Sequence, residues 1–352
     1  MYKVTLSMPV YNVEKYVERA LLSALNQTFE SIEYLIVDDK GTDNSMDIIR
    51  RIIATHPRGK NVRIIDHGIN QGTGATKNSA IREAKGEYLY FMDSDDEITQ
   101  DCIEILYNKM QENPVDFVVG SIIMHFDDYS KENEQNEGII KKIFSENILK
   151  GKNKIAEFQY DRKNVKNSIH IQMWNKLYNL NFLINYQIDC IPHHLNEDNM
   201  FTTKLIFTAI SCSFTSQVTY YYYKNRNSVT YICSLGFTKR IADQYIEIYS
   251  FHKENLLNYK NTILYNNYYY WILHYIFGLL PLYYKGYFDE NQKGMYYKEI
   301  TRNLPRKITE ISKLPIRGII YLIYLSLPYK ITKFIYKFWR YLKRQNIRIF
   351  HN

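Results

Sequence analysis

Apolar runs and amphipathic segments alternate along the first 125 residues of the chain. The apolar runs are typical of buried strands and cover residues 4–8, 32–37, 62–65, 88–92 and 115–123. The segments between them place apolar residues at helical spacing, over residues 13–25, 43–53, 74–84 and 99–110. Strands that alternate with helices predict an α/β fold, a mostly parallel sheet with helices on both faces. Ligands of such sheets bind at the carboxyl ends of the strands.

The pattern changes after residue 125. Residues 126–168 are polar and rich in Lys, Asn and Glu, which predicts a surface excursion or a small insert. Residues 213–223 are Tyr-rich and β-like, and the pattern is helical from about residue 237 onward. The stretch 263–284 has no Lys, Arg, Asp or Glu but includes Asn266, His274 and Pro281, so we interpret it as a buried or interfacial helix that does not span a membrane. We therefore expect an α/β domain at 1–235 (halves 1–125 and 126–235), a helical region at 236–310 and a tail at 311–352.

The positive charge of the chain is concentrated in that tail. The formal net charge is +8, yet residues 311–352 contain nine Lys or Arg and no acid, which leaves 36 basic and 37 acidic residues in 1–310. This distribution disfavours a nucleic-acid binder and indicates an anionic partner for the tail alone. At 100° per residue, Ile331, Phe334, Ile335, Phe338, Trp339, Tyr341 and Leu342 share one side of a helix. Lysines and arginines share the other side, which predicts either an amphipathic helix on an anionic membrane surface or a helix docked on the protein itself.

Composition narrows the class of protein further. Hydrophobic residues make up 45% of the chain and charged residues 23%, which excludes a largely disordered protein. The four cysteines are far apart and include no CxxC pair, so a reduced cytoplasmic protein is expected. The sequence from Met1 runs directly into the first apolar strand and shows no secretory signal. The expected location is the cytoplasm, at the inner face of the cell membrane.

Carboxylates follow two of the predicted strands. Asp38 and Asp39 end the second strand, and the run Asp93-Ser94-Asp95-Asp96 follows the fourth. Carboxylates that converge at one sheet edge repel each other unless a cation or donor groups lie between them, and Mg²⁺ or Mn²⁺ suits such oxygen ligands. The sequence therefore predicts a site for a nucleoside diphosphate and a divalent cation, with a solvated acidic turn as the simpler alternative. An EF-hand-type calcium loop is disfavoured because Ile98 occupies the position that requires Gly.

A glycine-containing segment, Asn70-Gln71-Gly72-Thr73-Gly74, leads into the helix that carries Lys77. Two glycines allow a close backbone approach, and the amino end of a helix offers free N–H groups to anions. The segment has neither the GxGxxG spacing nor the Walker lysine, so Rossmann and P-loop interpretations are disfavoured.

Taken in order, these motifs resemble the family 2 glycosyltransferases. The resemblance lies in Ser7 to Asn12, Asn26-Gln27-Thr28, Val37 to Ser45, Asn70-Gln71-Gly72, Ala84 to Tyr88 and Phe91 to Asp96, and it is dense over residues 3–125. It continues more thinly through Trp174 to Tyr178, Glu197-Asp198 and Tyr223 to Thr230. The resemblance implies a glycosyltransferase A-type fold, a nucleotide-sugar donor, most often a UDP-sugar, and inversion at the anomeric carbon.

The same resemblance implies roles for individual residues. The donor site would comprise Pro9, Val10, Tyr11, Asn12, Asp38, Asp39, Lys77, Asp93, Ser94 and Arg226, with Asp39 facing the base. Asp95, with Asp93, would bind Mn²⁺ or Mg²⁺. Lys77 replaces the arginine usual in the family and loses its bidentate fork, and Lys40 replaces a usual Gly or Asn. Arg226 would belong to a lid over the diphosphate, and Trp174 would either stack on the acceptor sugar or lie in the core.

Inversion by direct displacement needs a base at the acceptor hydroxyl. Glu197-Asp198 resembles the ED motif of the family, which implies Asp198 for this role and Glu197 as the alternative, while the pair could also simply stabilise the start of a helix. The expected function is transfer of one sugar from a nucleotide-sugar to a glycan or lipid-linked acceptor hydroxyl during synthesis of a surface polysaccharide such as capsule, O-antigen or lipooligosaccharide. A sugar-phosphate nucleotidyltransferase and an inactive glycan- or membrane-binding relative are the alternatives.

Overall fold

The computed structural model describes residues 2–127, 137–163, 167–192, 194–224, 236–260, 262–302, 304 and 311–344. The chain divides by its contacts into two compact units. One comprises Met1–Gln159 and Lys163–Asn225, and the other Tyr160–Arg162 and Arg226–Asn352. The finer division of the chain at residues 125, 235 and 310 stays a prediction.

The first half of the α/β unit follows the predicted alternation. Its elements are β1 (Tyr2–Val10), α1 (Val17–Leu25), β2 (Ile32–Asp38), α2 (Ser45–Thr55), β3 (Val62–Asp66), α3 (Thr73–Glu83) and β4 (Gly86–Phe91). β1 pairs in parallel with β2 on one side and with β4 on the other, so that Val10 lies opposite Asp38 and Ser7 opposite Phe91. The register brings the ends of β2 and β4, and hence both acidic motifs, to one edge of the sheet.

The second half adds strands of both directions to this sheet. Its elements are β5 (Glu97–Ile98), α4 (Cys102–Glu112), β6 (Phe117–Asp127), β7 (Glu137–Lys142), β8 (Asn147–Lys150), α5 (Lys154–Tyr160), β9 (Lys176–Asn179), α6 (Leu180–Asn185), α7 (Glu197–Thr208) and β10 (Ser211–Lys224). The ten-stranded sheet has the order β3-β2-β1-β4-β9-β6-β10-β5, with β7 beside β6 and β8 beside β10. β9 is antiparallel to both of its neighbours, which makes the sheet mixed and confirms the α/β class.

The segment 126–168, expected to be a surface excursion or a small insert, contributes two strands in its described part. β7 and β8 are strands of the central sheet, and Phe144 and Ile155 are buried. The apolar residues there are separated by lysines and glutamates, whose long side chains can reach solvent, so the segment has no continuous apolar run to reveal its strands.

The predicted helical region is confirmed. It consists of α8 (Lys239–Leu257), α9 (Ile263–Tyr284), α10 (Glu290–Thr301), α11 (Ile316–Ser326) and α12 (Tyr329–Arg344). α9 is a largely buried helix, as expected, and the phenol oxygen of its Tyr268 lies 2.6 Å from Nδ1 of the buried His252 in α8. Among the described residues, no helix combines the length and the apolar character needed to cross a membrane.

Candidate active site

Asp39, which directly follows β2, holds the glycine-containing loop next to the sheet through hydrogen bonds. Its carboxylate accepts hydrogen bonds from the backbone N–H groups of Gln71 (2.8 Å) and Gly72 (2.9 Å). Nδ1 of His67 lies 3.0 Å from the same carboxylate, and Nε2 of His67 lies 2.9 Å from Oγ of Ser79. Gly72 has a φ of +84°, which a residue with a Cβ rarely adopts. Asp39 therefore fixes the start of α3, and its predicted contact with the base stays a prediction.

Two of the predicted donor residues at the end of β1, Val10 and Asn12, border a cavity of about 180 Å³ that also reaches Asp38 and Lys40, whereas Pro9 and Tyr11 do not line it. Tyr11 is exposed, whereas Val10 and Asp38 are buried. Oδ1 of Asn12 accepts a hydrogen bond from the N–H of Thr42 at 2.7 Å. Val10 and Asn12 thus line the cavity together with Asp38, because β1 and β2 are neighbouring parallel strands.

Lys40, one of the two departures from the family pattern, forms ion pairs with carboxylates of the protein itself. Its Nζ lies 2.6 Å from Asp66 and 3.6 Å from Asp38, and its backbone has a φ of +56°. The lysine therefore bridges two carboxylates at the ends of β2 and β3, where a glycine would leave them uncompensated.

The acidic motif after β4 brings three carboxylates together. Oxygens of Asp93, Asp95 and Asp96 lie within 4.8 Å of one another, and Ser94 between them is buried. Asp96 is fully buried and accepts hydrogen bonds from the hydroxyl of Tyr220 (2.7 Å) and the backbone N–H of Tyr223 (2.8 Å). β10 thereby holds the acidic turn in place.

Repulsion within this turn is reflected in the pKa values of its buried acids. Burial raises the pKa of Asp93 to about 7; attraction from Lys77 opposes this shift, and weaker repulsion from Asp95 adds to it. Burial likewise raises the pKa of Asp96, with repulsion from Asp95 and Asp93. Carboxylates crowded in this way fit a divalent cation with oxygen ligands, and Asp93 and Asp95 would hold it.

Lys77 joins two motifs that are 120 residues apart in the sequence. Its Nζ donates hydrogen bonds to Oδ1 of Asp198 (2.6 Å) and Oε1 of Glu197 (3.0 Å). Burial disfavours the ammonium, but attraction from Asp198 and Glu197 outweighs this cost and raises the pKa of Lys77 well above its usual range. Lys77 is only 3% exposed and its charge is paired with carboxylates, and its expected contact with the donor stays a prediction.

Glu197 and Asp198 form the first turn of α7, where a helix favours negative charge. The pair thus lies at the start of a helix, as the simpler interpretation expected, and it also binds Lys77. The two acids differ in environment: the side chain of Asp198 is 24% exposed, and that of Glu197 only 8%. Burial also raises the pKa of Glu197.

Trp174 lies in the core, and this corrects its assignment as an acceptor contact. The residue is 4% exposed, and its indole stacks on Tyr220 with ring centroids 4.5 Å apart. Tyr222 stacks against it at 5.7 Å, so aromatic rings cover the surface that a sugar would need. The core alternative holds because tyrosines of β10 pack on the indole. This contact between distant segments cannot be read from a single sequence.

The structure thus brings together Lys77, the acidic turn and the Glu197-Asp198 pair within one unit, whereas Arg226 lies outside the described residues. Sequence reasoning assigned no role to Asp96 or Arg19. Arg19 donates to the backbone oxygen of Asp95 at 2.9 Å and pairs with Glu97 at 3.0 Å. Asp96 stands within the acidic run and could have been included on that ground, but no sequence signal pointed to Arg19.

Comparison with known proteins decides the family. Residues 5–179 match the model of "Glycosyl transferase family 2", and this segment runs from β1 to β9 and includes the acidic turn. The chain belongs to glycosyltransferase family 2. The family that the order of the motifs predicted is therefore confirmed.

Similar proteins agree with this assignment. A poly(ribitol-phosphate) β-glucosyltransferase of Bacillus spizizenii is 31% identical over 251 residues, 68% of this chain and 36% of that enzyme. The chain spans less than half the length of several other curated glycosyltransferases that it matches.

Solved structures agree on the fold. A crystal structure of residues 1–349 of S. aureus TarS with UDP-GlcNAc has a TM-score of 0.67 at 18% identity, over 98% of this chain and 92% of that one. The mannosyltransferase PcManGT from Pyrobaculum calidifontis, in complex with GDP-Man and Mn²⁺, has a TM-score of 0.50 at 14% identity, over 97% of this chain and 88% of that one. These similarities confirm the glycosyltransferase A-type fold.

Proposed function

We propose that this member of family 2 transfers one sugar from a UDP-sugar to a hydroxyl of a glycan or lipid-linked acceptor, with inversion, in the synthesis of a bacterial surface polysaccharide. The observation that carries the proposal is that Lys77 of α3 binds Asp198 of α7 at 2.6 Å and also attracts Asp93 of the carboxylate cluster that follows β4. Such a cluster offers a cation site for a leaving diphosphate and a carboxylate for an incoming hydroxyl.

The donor would lie along the ends of β1 and β2. Val10, Asn12 and Asp38 line a cavity there, and Asp39 is fixed beside the loop that begins α3. A TarS structure with UDP-GlcNAc and the glucosyltransferase relative support a UDP-sugar. In this arrangement Asp39 would accept from the base while Pro9 and Tyr11 border the nucleoside.

Asp93 and Asp95 would hold Mn²⁺ or Mg²⁺. The cation would neutralise the charge that the diphosphate gains as the glycosidic bond breaks. The raised pKa of Asp93 supports this role, because an acid that resists ionisation alone gains most from a neighbouring cation. Mn²⁺ in the PcManGT complex supports the choice of metal.

Asp198 would be the base. It has the greater solvent access of the pair, and a base needs to reach the proton that it removes. Glu197 is more buried, and its role would be to share Lys77. Lys77 would hold the carboxylate of Asp198 in position for the acceptor.

The C-terminal region would place the enzyme at an anionic membrane surface. Side chains on the predicted apolar side of α12 are between 38% and 68% exposed: Ile331, Phe334, Ile335, Phe338, Trp339 and Tyr341. Together with the basic residues of the tail, this exposed side supports a peripheral association from the cytoplasmic side. A lipid-linked acceptor would be found at the same surface.

One assay tests the reaction. The protein is incubated with a panel of nucleotide sugars and lipid or glycan acceptors, with Mn²⁺, Mg²⁺ or EDTA, and released nucleoside diphosphate is measured. We expect release that requires the metal and is lost in Asp95→Ala. Asp198→Asn should lower kcat by about 100-fold or more while the donor Kd stays close to that of the wild type.

A matched control and the contrary outcomes complete the test. Asp189→Asn alters an exposed acid that pairs with Lys204, and it should leave turnover unchanged. Full activity in Asp198→Asn would remove the base assignment. Pyrophosphate release from a nucleoside triphosphate would favour a sugar-phosphate nucleotidyltransferase, and no turnover with any donor would favour an inactive glycan- or membrane-binding relative.

A further inference from the structure

One side of helix α12 packs on the protein, and another side is exposed to solvent. One side packs on the protein through Thr332, which is fully buried, and Tyr336, whose ring lies 5.1 Å from that of Tyr284. Tyr329 donates a hydrogen bond to Glu290 of α10 at 3.0 Å, and Lys333 pairs with the same carboxylate. The apolar side of the helix is exposed.

A groove of about 850 Å³ runs between α10 and α12. Four lysines and one acid line it: Lys298 and Glu290 from α10, and Lys330, Lys333 and Lys337 from α12. Its apolar lining includes Met295, Pro328 and Phe334. The groove therefore combines a cationic wall with an apolar lining, and Phe334 also belongs to the exposed apolar side of α12.

Most of this positive charge is not paired within the part of the chain that the structure describes. Glu290 compensates Lys333 and also lies 3.4 Å from Lys293. Lys333 lowers the pKa of Glu290 to about 2, so this acid stays ionised. Lys298, Lys330 and Lys337 form no ion pair with any described residue, and their side chains are exposed.

We propose that the groove between α10 and α12 binds the phosphate headgroup of an anionic membrane lipid, with the acyl chains against the apolar side of α12. The argument is complementarity: an anionic amphiphile has a charged head for the lysines and an apolar body for Met295, Phe334 and the helix surface beyond. Lysine ammonium groups act on a phosphate as point charges and suit a mobile headgroup. The inference rests on the membrane association proposed above and adds a defined site to it.

The test compares two variants that lose the same charge. The groove variant is Lys298→Gln/Lys337→Gln, and the control is Lys260→Gln/Lys285→Gln, which alters exposed lysines of the same unit outside the groove and outside the basic tail. Binding of the full chain is measured to phosphatidylcholine vesicles with and without phosphatidylglycerol. We expect the groove variant to lose at least about tenfold in affinity for the anionic vesicles, and the control less than about threefold.

Equal losses in the two variants would overturn the site, because they would show a diffuse attraction by net charge. Unchanged binding of the groove variant would overturn it as well. A second arm titrates the protein with short-chain phosphatidylglycerol below its micelle concentration and with inorganic phosphate. We expect the lipid to bind and phosphate to compete weakly, and equally strong binding of phosphate would overturn the lipid assignment.

Turnover separates this inference from the proposed reaction. The groove variant should release nucleoside diphosphate from a soluble donor at the wild-type rate, since none of its altered residues belongs to the α/β unit. Loss of headgroup binding with full turnover therefore supports the lipid site. Absence of turnover in the wild type would refute the proposed glycosyl transfer but would not bear on the lipid site.

Discussion

Lys77 shows how a single buried charge can organise a site. A lysine with 3% exposure would normally lose its proton, yet two carboxylates keep it charged. Removing Lys77, Glu197 and Asp198 from water costs free energy, and attraction between the lysine and the two carboxylates offsets this cost. The loss of one partner therefore leaves a charge without compensation. Lys77 is thus a positioning residue for Asp198 as well as a stabilising one.

Replacing Lys77 should therefore affect both stability and activity. We expect Lys77→Met to lower the free energy of unfolding by about 3 kcal/mol or more, since it leaves two acids uncompensated. Turnover should fall together with stability, and Lys77→Arg should restore part of both. Urea unfolding and nucleoside diphosphate release measure the two effects.

The control for this prediction is Lys3→Met, which removes an exposed pair with Glu87 and should leave the urea midpoint close to that of the wild type. If Lys77→Met were as stable as Lys3→Met, the buried ion pairs would not stabilise the fold as proposed.

Lys176 is a second buried lysine, and it has the opposite character. Its Nζ donates a hydrogen bond to the backbone oxygen of Gln172, and burial lowers its pKa to about 7, with Asp198 only partly opposing this shift. In the unfolded chain the lysine stays protonated up to about pH 10. The unfolded state therefore binds more protons between about pH 7 and pH 10, so this group makes stability rise with pH in that window.

The prediction is a difference in slope. Between about pH 7 and pH 9 the wild type should gain stability relative to Lys176→Met by about 1 kcal/mol per pH unit. Buried thiols and phenols with raised pKa act in the opposite direction at higher pH, but they are present in both proteins. Urea unfolding at several pH values measures the slope. Lys204→Met, which alters a lysine paired with Asp189 at the surface, should keep the wild-type slope, and a wild-type slope in Lys176→Met would contradict the assignment.

At the scale of elements, β10 is the support on which the site rests. It pairs with β6, β5 and β8, supplies two hydrogen bonds to Asp96, and stacks Tyr220 on Trp174. Its tyrosines explain why the acidic turn stays in place although its carboxylates repel one another. The Tyr-rich composition of this strand is thus a property of the site as much as of the core.

The sequence predicts those parts of the fold in which the hydrophobic pattern of a single segment identifies it as a strand or a helix. The β1 to β4 alternation was readable because β2 is buried along its whole length and forms a nearly continuous apolar run. β9 has no recognisable strand pattern because it is four residues long and begins with a lysine. β7 and β8 have none because they contain few apolar residues. Such strands form through pairing with distant neighbours, which local patterns do not encode.

The same distinction applies to the site. Both acidic motifs and the Glu197-Asp198 pair were found as local patterns, and the parallel register of β1 with β2 and β4 explains why the first two meet. The bond between Lys77 and Asp198 depends on packing between α3 and α7, across 121 positions of sequence. The burial of Trp174 depends in the same way on β10.

At the scale of the whole molecule, charge is divided between a nearly neutral body and a basic end. Residues 1–310 contain 36 basic and 37 acidic residues, and residues 311–352 contain nine basic residues and no acid. Attraction to an anionic surface should thus arise from one end of the chain and be screened by salt, since the Debye length is about 8 Å at physiological ionic strength.

Salt should separate membrane binding from catalysis. Raising ionic strength well above the physiological value should weaken binding to anionic vesicles by about tenfold or more, because each lysine near the surface contributes about 1 kcal/mol. Release of nucleoside diphosphate from a soluble donor should change less, since Lys77 and Glu197 are buried and their ion pair is screened little by salt. Cosedimentation and turnover are measured on the same samples. Phe334→Ser/Phe338→Ser should weaken vesicle binding even at low salt, and vesicle binding indifferent to both salt and these substitutions would refute a membrane role for α12.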